Sequence, residues 1–262
     1  LLWAASDMGH TPSGNSGGAG LPMPRHAVKK EPGPMVHPHN EPPLNPMPPV
    51  VMALFIVIVG VEAVFSLGAY GVVGGPGAVG WRLEAMERFA FFAPVLGWMF
   101  ETGQFPANHL VRFLSYPFVH ATFTHAIFAG VMLLAMGKMV AEALGSVRTL
   151  AIFAASSVGG ALAYGLLLDT QMPLIGAFPP VYGLIGGFTY LLWLRLGQVG
   201  AQQLRAFSLI GMLLAIQLVF GLVFGGSLDW VADLAGFVTG FGLTVVLVPG
   251  GWTRLLARFR RQ

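Results

Sequence analysis

LIGAFPPVYGLIGGFTYLLWLR, Leu174–Arg195, carries one charge, and that charge is its last residue. A helix needs about 20 predominantly apolar residues to cross the hydrocarbon core of a bilayer, and this stretch provides them. The same pattern extends outward: positions 149–168, 170–194 and 206–228 contain no Asp, Glu, Lys or Arg. Over its 262 residues the chain is 55% hydrophobic and 10% charged, where soluble domains have about 25% charged residues. Only helices and closed barrels satisfy their backbone in lipid. The apolar runs are continuous, without the alternation of barrel strands. The sequence therefore specifies an all-α integral membrane protein whose first partner is the lipid bilayer.

Six spans are expected, at roughly 50–72, 115–137, 149–168, 174–195, 206–226 and 230–249. They form one membrane domain over 49–250. The long connection 74–112 holds Trp81, Trp98 and Phe105, a mixture suited to the headgroup layer. Residues 1–48, rich in Pro, Gly, His and Asn, are expected to be a disordered tail. The chain begins with Leu1, which fits either a fragment or an upstream extension over 1–34 with Met35 as a candidate start. Residues 251–262 form a basic tail. Lys138, Arg148, Arg195, Arg205 and the basic residues of both tails fall on one side, so the positive-inside rule places both termini in the cytoplasm. The net charge of +3 sits at membrane-flanking ends, and no nucleic-acid partner is expected. With no cysteine, disulfides and thiol catalysis are excluded.

Polar groups inside spans are costly and need a reason. The candidates are Glu62, His120, His125 and Asp233. On one continuous helix a five-residue spacing turns His125 about 140° from His120, so the two rings do not share a face and do not suit a common metal. Asp233, at mid-helix, should face the bundle interior, and the partner of Glu62 is not evident. Gly236 and Gly240 have the small-xxx-small spacing of close helix contacts, and Gly176, Gly183 and Gly186 extend that pattern to the fourth span.

Together these segments resemble the rhomboid family of intramembrane serine proteases. Arg112, His120 and His125 fall at the family's intervals ahead of and within its second span. Val111 and Ala129 stand where the family has tryptophan and asparagine. The family's fourth span carries Gly-x-Ser-Gly followed by an aromatic three residues later; Gly176, Tyr182, Gly183 and Gly186 match that span in place, but Phe178 and Pro179 occupy the Ser-Gly positions. Gly236 and Gly240 match the sixth span, with Asp233 in place of its histidine.

The resemblance implies a six-helix bundle with a long first outer loop, set in a bacterial inner membrane. It also implies that the attacking serine and its proton acceptor are both absent. Pro179 and Pro180 have no N–H to hold an oxyanion. The expectation is a pseudoprotease without catalytic residues, cofactor or metal. It would bind transmembrane helices of client or partner proteins between spans 2 and 5, with His125 and Asp233 paired across the old site. Two other readings stand beside it: an active endopeptidase with a rearranged site, and a structural or transport subunit of a membrane complex.

Overall fold

A computed structural model describes residues 46–224, 228–248 and 250 of the chain. The expected disordered tail up to residue 45, its 1–34 extension and the basic tail 251–262 lie outside the described residues.

Six long helices carry the architecture: α1 (Pro49–Ala69), α6 (Phe123–Leu144), α7 (Ser146–Leu167), α8 (Phe178–Gln198), α9 (Ser208–Phe224) and α10 (Trp230–Leu247). Each overlaps one of the six expected spans. Among the described residues α1, α6, α7 and α10 are long and apolar enough to cross a membrane by length and composition. The helix α8 has 21 residues but is diluted by prolines, glycines and tyrosines. Its surroundings explain this: Pro179 through Gly187 are buried on every side, so protein rather than lipid covers it. Its most extensive neighbour is α10, followed by α7 and α6.

Glycines bring these helices together. A methyl group on Gly240 would collide with the Gly183 carbonyl, one on Gly236 with the Pro179 carbonyl, and one on Gly186 with the Phe237 carbonyl. The α8 and α10 backbones are therefore in contact, the geometry that small residues permit between membrane helices. On the far side of the bundle α1 sits in notches of α6, with Phe55 over Gly130 and Val51 over Gly137. The apolar core runs from Val51, Leu54 and Ile58 through Leu133 and Val140 to Val181, Leu184 and Ile185.

The 74–112 connection is more ordered than a headgroup-layer loop would suggest. It contains α2 (Trp81–Phe89), α3 (Ala93–Thr102) and α4 (Ala107–Leu110), and α5 (Arg112–Ser115) follows it. Phe91, Leu96, Met99 and Phe113 build a second core with Tyr164 and Ala161 of α7. Phe91 and Leu174 exchange backbone hydrogen bonds at 3.1 and 2.8 Å, fastening the connection to the chain just before α8.

The second span begins later than the sequence suggests. Residues 116–118 form a 3₁₀ turn, Val119 is extended, and α6 starts only after Thr122. Thr122 sets that start: its hydroxyl accepts the backbone N–H of His125 at 3.1 Å, satisfying one of the helix's orphan donors.

Candidate functional site

The late start of α6 decides where the two histidines lie. His120 belongs to the connection ahead of α6, 1% exposed, and His125 to its first turn. The helical-wheel separation of the two rings is therefore corrected, because no continuous helix joins them. They meet edge to face, centroids 5.0 Å apart and planes at 81°.

The chain entering α8 is fitted around these rings. Gly176 has φ +91°, which favours glycine, and a Cβ there would come within 2.6 Å of His125 Nε2. The Gly176 N–H donates to the Tyr116 carbonyl at 3.0 Å, and the Ala177 N–H donates to His120 Nε2 at 3.2 Å. That bond makes Nε2 the acceptor, so the neutral ring carries its proton on Nδ1. Phe178 then stacks on His125, centroids 5.2 Å apart and planes at 15°. Pro179 and Pro180 follow in the first turn of α8, where a missing N–H breaks no helix bond.

Asp233 lies in the first turn of α10, 2% exposed. Its Oδ2 accepts a hydrogen bond from Gln217 Nε2 of α9 at 2.7 Å. The expected His125–Asp233 pairing is corrected on this point. The imidazole lies against Gly176 and Phe178, and α9 provides the aspartate's partner instead. Tyr182 is buried on α8, between the contact points of Pro179 and Gly183 with α10.

Glu62, 1% exposed, is held by Arg82 of α2. Arg82 Nη1 and Nη2 donate to its two carboxylate oxygens, each at 2.7 Å, and the Ser66 hydroxyl adds a third bond at 2.8 Å. Hydrogen bonding to Glu62 holds the Arg82 guanidinium above its ordinary pKa. Arg82 Nη1 also donates to the His120 carbonyl at 2.7 Å. A continuous polar chain thus runs from Glu62 on α1 through Arg82 and His120 to Ala177 at the head of α8. Arg112 does related work on the loop, donating to the Ala90 and Glu87 carbonyls at 2.8 Å each, with its guanidinium 5.6 Å over the Phe92 ring.

Three residues of this site were not singled out from the sequence: Arg82, Tyr116 and Gln217. Gln217 had a visible signal, an amide within the uncharged run 206–228. Tyr116 had none. Its hydroxyl donates to the Ser157 carbonyl at 3.0 Å and its own carbonyl receives Gly176, so it pins α7 to the entry of α8. Among the described residues no group of three or more His, Cys, Asp or Glu is placed to hold a metal ion.

A polytopic helical bundle with paired histidines against the buried start of a central helix defines the class. The rhomboid domain family matches residues 107–250, over half of the chain, and the protein belongs to the rhomboid family. Rhomboid-like protease 3 of Toxoplasma gondii is 28% identical over 129 residues, which cover 48% of this chain and 47% of that protein. The chain thus spans about half the length of the curated relative it matches. Glu62 and Arg82 lie outside the matched residues, whereas both histidines, Phe178 and Asp233 lie inside them.

Proposed function

We propose that this rhomboid is proteolytically inactive and binds the transmembrane helices of client or partner proteins, with both termini on the cytoplasmic face of a bacterial inner membrane. The observation that carries the first part is the stack of Phe178 on His125. At the position where the family motif calls for a serine, a phenyl ring covers the imidazole. The second group of the expected pair is committed elsewhere, since Asp233 is bonded to Gln217.

Other hydroxyls do not replace the missing nucleophile. Ser157 donates to Phe153 in its own helix, Ser115 to the Phe89 carbonyl, and Thr122 caps α6. Ser156 is packed against Gly183. An oxyanion would find few donors, because the Gly176 and Ala177 amides are engaged and Pro179 and Pro180 have none.

Helix binding is supported by the faces that α6 and α9 leave uncovered. Phe128 and Val131 on α6, and Met212, Ile216 and Val219 on α9, are exposed and apolar at helical spacing. Without water, helices associate in lipid through such packing surfaces. The distribution of basic residues supports the orientation. An ion pathway through Glu62 is not supported, since Arg82 already holds both of its carboxylate oxygens.

Two measurements test the reading. A fluorophosphonate probe is expected to leave the purified protein unlabelled while it labels an active rhomboid. Phe178→Ser is expected to stay unlabelled too, because Asp233 remains bonded to Gln217 and no base is restored. Labelling of the parent would overturn inactivity. A photo-crosslinking residue at Phe128 or Ile216 in native membranes is expected to capture membrane-spanning proteins. Adducts with lipid alone would overturn helix binding.

A further inference from the structure

The contact between α9 and α10 is short of one donor. Gln217 Nε2 donates to Asp233 Oδ2, yet Asp233 Oδ1 and Gln217 Oε1 are both buried without a hydrogen-bond partner. An ionised carboxylate only accepts, and a primary amide offers a single acceptor beside its N–H donors. Native proteins rarely leave such buried groups unmatched.

Among the described residues no side chain supplies the missing donor. The titratable groups whose charge is felt here are Asp229 one turn earlier, Tyr182 on α8 and Tyr116 ahead of α6. Asp229 has the same sign, the Tyr116 hydroxyl is already donated to Ser157, and Tyr182 makes no hydrogen bond to the carboxyl, whose Oδ1 is unpartnered. His120 and His125 face Gly176, Ala177 and Phe178. The salt bridges among the described residues join Arg82 to Glu62 and Lys138 to Glu142, so none of the described cations pairs with Asp233.

We propose that Asp233 is a proton-binding site. Its carboxyl is held as the neutral acid, the O–H on Oδ1 donating to Gln217 Oε1, so that acid and amide close a ring of two hydrogen bonds between α9 and α10. One proton answers both unpartnered oxygens and removes a net charge from the apolar interior, where charge is expensive. When that proton leaves, a carboxylate faces an amide oxygen and the seam between the two helices loses one of its bonds. Proton occupancy is therefore coupled to the seating of α9: the seam is closed when the proton is bound and loosens as pH rises. This proton site is independent of helix binding.

Infrared spectroscopy of the full chain in lipid nanodiscs, with its aspartates carboxyl-labelled with carbon-13, reads the proton directly. At neutral pH the parent is expected to show the carbonyl band of a protonated acid, which persists in Asp229→Asn and is lost in Asp233→Asn. Asp233→Asn can close the same ring as a neutral amide pair, so its melting temperature is expected to match the parent's at acid pH and to stay level where the parent's falls with rising pH. Asp233→Ala is expected to melt below both at acid pH. Absence of the acid band from the parent at neutral pH overturns the proposal, whether or not the variants fold. A parent melting temperature that falls no more with pH than that of Asp233→Asn overturns the coupling to α9.

Discussion

Arg82→Met is expected to destabilise the protein by about 3–5 kcal/mol, the usual consequence of stranding one member of a buried ion pair. Glu62 is 1% exposed and takes two of its three hydrogen bonds from Arg82. Without the guanidinium, the Ser66 hydroxyl is its only remaining partner. The same change frees the His120 carbonyl, which Arg82 also holds. The effect should therefore reach the entry of α8, where His120 receives Ala177. Replacing both members with apolar residues, Glu62→Leu with Arg82→Met, is expected to recover most of the loss, since well-packed hydrophobic pairs often match a buried ion pair. It should not recover all of it, because the His120 carbonyl remains unpaired. Equilibrium unfolding in detergent measures all three chains. Arg82→Met within about 0.5 kcal/mol of the parent, the range of an ordinary surface change, would show that the pair does not hold the loop to α1.

Among the described glycines, Gly240→Ala should be the most damaging substitution. The atoms a Cβ would meet there are the carbonyl oxygen, carbonyl carbon and Cα of Gly183, all backbone. No rotamer can move them aside, so α8 and α10 must separate along their whole contact. Overpacking a core costs about 1–3 kcal/mol when side chains can adjust, and this site belongs at or above the top of that range. Gly242 in the same helix is the control, since a Cβ there meets nothing within 4 Å. Gly242→Ala is expected to stay within about 0.5 kcal/mol of the parent. Equal melting temperatures for the two variants would mean that the backbones are not in contact.

The sequence announced the long helices because lipid imposes a length and a composition on anything that crosses it. The glycine spacings were legible for a related reason: close helix approach tolerates only small residues. The polar connections were harder to see. Glu62 and Arg82 are 20 residues apart on different helices, and no periodic pattern links a residue in a span to one in the loop beside it. His120 and His125 lie in one apolar run, which hides the break between them, yet Thr122 starts the helix five residues after Pro117. A carboxylate in a span calls first for an ionisable partner, and the partner of Asp233 is an amide. Uncharged side chains such as Gln217 lower the apolarity of a span only slightly, so composition barely registers them even when they fix the position of a helix.

The fastening of α1 also ties residues outside the family match to those inside it. The family match begins at residue 107, but the bundle does not. A chain shortened to that boundary would uncover Gly130 and Gly137 on α6, where Phe55 and Val51 now rest. It would also leave the His120 carbonyl, beside the heart of the matched region, without its donor. The first span and the loop after it therefore hold the matched helices in place, as do the glycine contacts among those helices themselves.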